Sequence, residues 1–200
     1  MEFITAQIDR SALLHNLKTI KEHVPDANIV AVVKADAYGH GLTAVTEALQ
    51  DQVQAFAVAR IGEAMKLRRN GITLPIFLLE GFYNEEDLQY ISKYDLHTAV
   101  HSLFQIEAIE KAKLPKPVHV WLQVDVGMHR LGCVGPDEVE VLKERLNRSD
   151  NVIKPVGMIS HLSVADTIGE EEYNNTQIST FFKNAESIDG ELCLTNSAGI

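Results

Sequence analysis

The chain has 200 residues, of which 46% are hydrophobic and 23% are charged, and its 28 acidic against 18 basic residues give a formal net charge of -10. This length suits one domain with a buried core, and the negative charge disfavours nucleic acid and anionic membranes as partners because both are polyanionic. Since the first residues do not resemble a secretory signal and no apolar run approaches the length of a membrane span, we expect a cytoplasmic protein without a membrane partner.

Short apolar runs that are typical of buried strands alternate along the chain with longer segments of helical spacing. The predicted strands are Ile29–Val33, Ala55–Val58, Ile76–Leu79, Leu96–Val100, Val118–Val124, Val152–Ile159 and Leu192–Leu194. The signals that predict helices are the candidate N-caps Asp9 and Ser11, the helical apolar spacing after Ser102, a helix start at Pro136 and Asp137, and the segment Glu63–Asn70 closed by Gly71.

A succession of strand–helix units at steps of roughly 20–30 residues is typical of a parallel sheet. The uninterrupted series favours a (β/α)8 TIM-type barrel, although an open doubly wound sheet carries a similar pattern. A G-x-G-x-x-G dinucleotide fingerprint is absent after the first strand. Because a closed barrel needs another helix and strand after Leu192–Leu194, we expect one domain over residues 1–200, incomplete at its C-terminal end before the last barrel unit.

The first predicted strand ends in Lys34, within the string AVVKADAYGHG that covers Ala31–Gly41. Functional residues of such barrels lie at the carboxyl ends of the strands. Burial there disfavours the charged form of a lysine, and a neutral amine can attack a carbonyl to form a Schiff base. The residues alone also allow the commoner case of a lysine that leaves the strand for solvent.

Three further strand ends carry candidate groups. Arg130 lies in a glycine-rich loop after the fifth strand, where a guanidinium can bind a carboxylate or phenolate, or form a structural ion pair. His161 ends the sixth strand, where a packing role is the alternative to a site role. Ser197 follows the seventh strand among small residues that suit either a phosphate or a plain polar turn. The histidines and cysteines have no metal-ligand spacing, so no metal site is predicted.

These segments, in this order, resemble the alanine racemase family. Ala31–Gly41 is similar to its cofactor-attachment motif A-V-V-K-A-(N/D)-A-Y-G-H-G, and Asp125–Gly132 (DVGMHRLG) is similar to D-T-G-M-x-R-L-G. Ser160–Asp166 (SHLSVAD) is similar to S-H-(F/L)-x-x-A-D, and the residues from Asn196 are similar to N-S-A/G. The segments 80–82 and 97–101 look like the enterobacterial type. The resemblance therefore extends over essentially the whole chain.

The resemblance implies the N-terminal barrel domain of an enzyme that uses pyridoxal 5'-phosphate to interconvert L- and D-alanine, and so supplies D-alanine for peptidoglycan. It implies that Lys34 holds the cofactor as a Schiff base and is the catalytic base on the D-isomer face. Tyr38 and Ser197 would contact the phosphate, Leu79 and His161 the pyridine ring. Arg130 would contact both the phenolic oxygen and the substrate carboxylate. It also implies a homodimer for the full-length family and an absent C-terminal β-domain that provides the second acid/base.

Two residues depart from the family pattern. Gln123 replaces a lysine that many members carry in carbamylated form to support the arginine, and Val126 replaces the threonine of the arginine loop. A glutamine can still accept a hydrogen bond from Arg130 but brings no negative charge. Two other functions stay open: a different barrel-type pyridoxal phosphate enzyme that acts on amino acids, and a truncated, non-catalytic cofactor-binding fragment.

Overall fold

The computed structural model describes residues 7–200, in which strands and helices alternate as predicted. The chain divides into two compact units, one that reaches to Ile76 and one that covers Phe77–Ile200. The residues from 7 to 200 include no helix that is both long enough and apolar enough to cross a membrane.

The first unit is built on two parallel strands. Its elements are α1 (Arg10–His23), β1 (Val30–Val32), α2 (Lys34–Tyr38), α3 (Leu42–Leu49), β2 (Ala55–Val58), α4 (Ile61–Arg69) and the start of β3 (Ile76–Leu78). β1 pairs with β2, with Val32 opposite Ala57. The Phe56 N–H donates to the Pro75 carbonyl just before β3 at 3.0 Å. Phe56 and Leu67 are fully buried in the core of this unit.

The second unit contains the remaining strands in chain order. Its elements are the end of β3, α5 (Asp87–Lys93), β4 (Leu96–Val100), α6 (Leu103–Lys111), β5 (Val118–Gln123), α7 (Pro136–Arg148), β6 (Val152–Ile159), α8 (Glu171–Ala185), β7 (Leu192–Cys193) and a 3-10 turn (Ser197–Gly199). β4 to β7 are hydrogen-bonded in that order, and each pair is parallel. Leu122 and Ile106 are fully buried, so the core lies between strands and helices.

The predicted strands are confirmed, and four of them end earlier or start later than expected. The residues assigned to strands that lie outside them are Ile29, Val33, Leu79, Val124 and Leu194. Backbone hydrogen bonds between the strands still reach two of these flanking residues, because the Val33 N–H donates to the Ala57 carbonyl at 2.8 Å and the Val124 N–H donates to the Ile159 carbonyl at 2.9 Å. Val124 still forms an isolated bridge with Cys133.

The capping residues explain where several helices begin. Asp9 is the N-cap of α1, and its carboxylate accepts from the Ser11 N–H at 2.8 Å; the prediction of Ser11 as a cap is wrong, because it lies inside the helix. Pro136 opens α7, where its missing N–H has no helical partner to lose. Ser102 precedes α6 but makes no side-chain cap bond. α4 begins at Ile61, two residues earlier than predicted.

Candidate functional site

Lys34 lies two residues after the end of β1 (Val32), at the start of a turn with left-handed backbone geometry. The four residues of the turn with positive φ, between 52° and 54°, are Ala35, Asp36, Ala37 and Tyr38. An L-residue in this conformation costs roughly 1–2 kcal/mol, so a run of four requires support from the surrounding structure. The turn fixes the direction in which the chain leaves β1, and with it the root of the Lys34 side chain.

Backbone and side-chain hydrogen bonds hold this turn. The Ala37 N–H donates to the Val33 carbonyl at 2.9 Å, and the Gly41 N–H donates to the Asp36 carbonyl at 2.8 Å. The Asp36 carboxylate accepts from the Leu42 N–H at 2.9 Å. That backbone hydrogen bond, against a smaller opposing effect of burial, keeps the pKa of Asp36 below its usual value, and Lys66 at 3.6 Å acts in the same direction.

Lys34 and Tyr38, the two predicted site residues of the first unit, therefore lie at opposite ends of one turn. Lys34 is half-buried, and none of the residues from 7 to 200 forms an ion pair or hydrogen bond with its side chain. Tyr38 is 60% exposed, so its hydroxyl is accessible to a ligand. An amine without a protein partner at a strand end is available for covalent chemistry.

The loop that carries Arg130 is organised by Asp125. The Asp125 carboxylate accepts from the Gly127 N–H at 2.8 Å and from the His129 N–H at 3.0 Å, and it lies 3.3 Å from His129 Nδ1. Burial acts to raise the pKa of Asp125, but these bonds and the His129 ring together outweigh it, so the pKa is lowered. The loop presents Arg130 in an exposed position, and its guanidinium forms no hydrogen bond or ion pair within residues 7–200.

Arg130 and His161 line the same small recess of the second unit, together with Gln123 and Ser160. The Ser160 hydroxyl donates to the Val124 carbonyl at 2.6 Å and so ties the end of β6 to the end of β5. A larger, open groove follows the exposed polar face of α8 between Glu172 and Lys183. That groove contains none of the predicted residues, and we place the candidate site at the strand ends because the chemically reactive groups lie there.

Gln123 does not support Arg130 in this structure. Its side chain is 7% exposed, and its Oε1 atom is buried without a hydrogen-bond partner among the described residues. The hydrogen bond that a glutamine can offer to Arg130 is therefore not formed. A buried amide oxygen without a hydrogen-bond partner lowers the free energy of unfolding.

Leu79 and Ser197 lie outside the recess formed by Arg130 and His161. Leu79 is half-buried in the turn after β3. Ser197 is exposed at the start of the 3-10 turn, and the neighbouring Asn196 side chain donates to the Leu162 carbonyl at 3.3 Å. The Ser197 segment is thus hydrogen-bonded to Leu162, the residue that follows His161, whereas Leu79 lies in a different loop.

Helix α8 carries contacts to the site loops that sequence patterns did not indicate. The Gln177 Oε1 atom accepts from the Ser163 N–H at 3.2 Å and from its hydroxyl at 3.1 Å. The Asn174 amide donates to the Val164 carbonyl at 3.2 Å. No motif marks these residues, because a polar side chain on a helix is expected to face solvent unless its partner is known.

The chain is similar in sequence to a defined protein family. A profile described as "Alanine racemase, N-terminal domain" matches residues 8–200. The chain is 45% identical over its whole length to an alanine racemase of Pasteurella multocida and 47% identical to one of Yersinia pestis. It covers 55% of each of these proteins, so it spans about half the length of the curated relatives it matches.

Solved structures show the same fold. The biosynthetic alanine racemase from Pseudomonas aeruginosa superposes with a TM-score of 0.89 at 34% identity, over 96% of this chain and 52% of that protein. The alanine racemase from E. faecalis gives a TM-score of 0.86 at 28% identity, over 96% of this chain and 53% of that protein. The predicted barrel-type α/β fold of the N-terminal domain is therefore confirmed.

Proposed function

The chain belongs to the alanine racemase family, and from this premise we propose that it is the part of an alanine racemase that binds pyridoxal 5'-phosphate. The proposed reaction is the interconversion of L-alanine and D-alanine. The observation that carries the proposal is Lys34, a half-buried lysine without a protein partner among residues 7–200, which lies two residues after the end of β1. A primary amine in this state is the group that an aldehyde cofactor needs.

The chemistry of the available donor groups fits the cofactor. Lys34 offers an amine for the aldehyde carbon, and the exposed hydroxyls of Tyr38 and Ser197 are suited to phosphate oxygens. Arg130 offers a guanidinium for the phenolic oxygen. Leu79 and His161 would contact the pyridine ring. These assignments follow the family resemblance residue by residue.

When bound, pyridoxal phosphate supplies an electron sink that makes the α-proton of an amino acid easier to remove. We assign to Lys34 the transfer of that proton on the D-isomer face, because a neutral amine can act as a general base. Arg130 would hold the alanine carboxylate, because a guanidinium can bind both carboxylate oxygens. The opposite face needs a second acid/base, which the resemblance assigns to the family's C-terminal β-domain.

The setting of the reaction is part of the same proposal. We propose alanine as the substrate, a homodimer as the assembled state of the full-length protein, and the cytoplasm as its location. D-alanine supply for peptidoglycan would be its role. The proposed domain is the N-terminal cofactor-binding barrel domain over residues 1–200.

Borohydride trapping tests the proposed attachment site. The chain is mixed with pyridoxal phosphate, reduced, digested and analysed by mass, with the exposed Lys18 as an internal control for non-specific labelling. We expect modification on Lys34 in excess over all other lysines, and its loss in Lys34→Ala. Scattered labelling at the level of Lys18 would contradict a dedicated site.

Racemisation is tested in a protein that has the full length of the curated relatives. We expect interconversion of alanine enantiomers that Lys34→Ala abolishes. Turnover of other amino acids by decarboxylation, with no racemisation of alanine, would instead support a different enzyme of the same cofactor. Racemisation that survives Lys34→Ala would remove the assigned role of this residue.

A further inference from the structure

We propose that Glu63 is a positioning residue for Lys34, and that it acts through the left-handed turn that follows this lysine. The Glu63 Oε1 atom accepts a hydrogen bond of 2.7 Å from the N–H of Ala35, the first residue of the turn. Glu63 lies in α4, 28 positions further along the chain than Ala35. The bond therefore connects the residue next to Lys34 to a separate element of the first unit.

The other oxygen of the same carboxylate holds the end of β2. Glu63 Oε2 accepts from the Ala59 N–H at 3.1 Å and from the Arg60 N–H at 3.0 Å. Ala59 is the first residue after β2, and the last bond between the strands runs from the Val33 N–H to the Ala57 carbonyl at 2.8 Å. Glu63 thus continues the connection between the two chain segments beyond the point where strand pairing ends.

A carboxylate is the group that this junction requires. Ala35 and Ala59 both present N–H donors, and two donors cannot bond to each other. A carboxylate placed between them accepts from both sides, since each oxygen has its own lone pairs. A glutamine has one accepting oxygen, and its NH2 group would face N–H donors on the other side. The charge also favours the first turn of α4, where helix N–H groups point outward.

The consequence for Lys34 follows from the peptide that Glu63 holds. The Ala35 N–H belongs to the Lys34–Ala35 peptide, so a fixed N–H direction fixes the ψ angle of Lys34. The next four residues adopt positive φ although none of them is glycine. Such a turn persists only when its surroundings favour it over right-handed alternatives. Without Glu63 we expect the turn to relax and the Lys34 amine to lose its defined position.

This inference rests on the proposed function, because it assumes that Lys34 reacts with pyridoxal phosphate. The test is the rate of borohydride-trapped labelling at Lys34, measured in the wild-type chain and in Glu63→Gln. Glu47→Gln is the matched control, since Glu47 is exposed on α3 of the same unit and undergoes the same change of charge. Circular dichroism melting reports on folding, and labelling is measured well below each melting temperature.

We expect Glu63→Gln to slow labelling of Lys34 by about tenfold, which corresponds to the loss of one charge-assisted hydrogen bond. Glu47→Gln should label at the wild-type rate. If Glu63→Gln does not fold, Glu63→Asp serves as the test, because it keeps the charge at the start of α4 but is one methylene too short to reach both N–H groups. It should slow labelling to a similar extent.

A rescue experiment separates positioning from simple capping of α4. Glycine adopts positive φ without strain, so Ala35→Gly in the Glu63→Gln background should restore most of the lost labelling rate. A double variant as slow as Glu63→Gln would show that Glu63 only stabilises α4, and wild-type labelling in Glu63→Gln or Glu63→Asp would also overturn the inference. If the wild-type chain fails to label Lys34, the proposed function itself fails, and this inference fails with it.

Discussion

The Tyr173 hydroxyl donates a hydrogen bond of 2.8 Å to the Gly127 carbonyl, and so joins helix α8 to the loop that carries Arg130. One turn further along α8, Gln177 accepts from Ser163 in the loop that follows His161. One helix face therefore holds two of the loops that form the candidate site. We therefore expect the positions of Arg130 and His161 to be coupled through α8, although these two residues lie on different loops.

Tyr173→Phe tests this coupling. Removal of one hydroxyl should lower the free energy of unfolding by about 0.5–1.5 kcal/mol, and it should increase amide hydrogen exchange in residues 126–132. Urea denaturation and exchange mass spectrometry measure the two effects. Tyr90→Phe is the control, because Tyr90 is 44% exposed on α5. Unchanged exchange in the arginine loop of Tyr173→Phe would show that α8 does not hold it.

Substitution by alanine should change the free energy of unfolding in opposite directions at Gly132 and at Gly62. Gly132 has a φ of +130°, and a Cβ there would lie 2.4 Å from the Asp125 backbone nitrogen. Gly62 has open space around it and lies within α4. Gly132→Ala should therefore destabilise by about 1–3 kcal/mol or more, whereas Gly62→Ala should stabilise by up to about 1 kcal/mol. Chemical denaturation measures both, and equal effects would contradict the steric argument.

Asp125→Asn should make the free energy of unfolding less sensitive to acid pH. The pKa of Asp125 is lowered in the folded state, so its contribution to stability is present above the unfolded pKa of about 3.9 and is lost as pH falls through the folded pKa. The stability difference between wild type and Asp125→Asn should thus be greatest near neutral pH and shrink toward about pH 3. Urea unfolding at several pH values measures it. Asp150→Asn, at an exposed position, is the control for the loss of one negative charge.

Much of the fold follows from the sequence because its apolar runs coincide with strands. Ala55–Val58, Leu96–Val100 and Val152–Ile159 match the observed bounds, since β-branched and apolar residues there are buried by helices. Helix α8 could not be found in the same way. Its buried positions include Gln177 and Asn184, so the apolar periodicity that marks an amphipathic helix is interrupted.

The sequence predicts which residues belong to the candidate site, but it does not predict the contacts that hold them. Lys34 and Arg130 are found because strand ends carry the chemistry of parallel α/β folds. The left-handed turn after Lys34 is not predictable, because Ala35 and Asp36 have no intrinsic preference strong enough for positive φ. Its support by Glu63 depends on a hydrogen bond across 28 positions, which only the folded chain reveals.

Cys133 should be unreactive in the folded protein. Burial, with a smaller effect of the negative charge on Glu138, raises the pKa of its thiol to about 12. At pH 8 we therefore expect iodoacetamide to label it at least about a hundredfold more slowly than in urea, since the thiolate is the reactive form. Stability should also fall as pH rises above about 8.5, where only the unfolded thiol ionises. Peptide mass mapping distinguishes Cys133 from Cys193, and Cys133→Ala should weaken the alkaline decline.

Gln123→Met should leave the protein as stable as the wild type or more stable. The Oε1 atom of Gln123 is buried without a partner among the described residues, and methionine has a similar shape without a polar group. Removal of an unsatisfied amide should raise the free energy of unfolding by up to about 1–2 kcal/mol. If Gln123 supports Arg130 once cofactor and substrate bind, the same variant should weaken alanine binding despite its stability.

Gln105→Met is the matched control for this prediction, because Gln105 is also buried but uses both ends of its amide. Its Oε1 atom accepts from the His101 N–H at 2.8 Å, and its Nε2 atom donates to the Phe82 carbonyl at 3.0 Å. Methionine there would leave two backbone groups unpaired, so we expect a loss of about 1–3 kcal/mol or more. Denaturant unfolding of both variants decides the case: a comparable loss in Gln123→Met would mean that its amide oxygen is paired in solution.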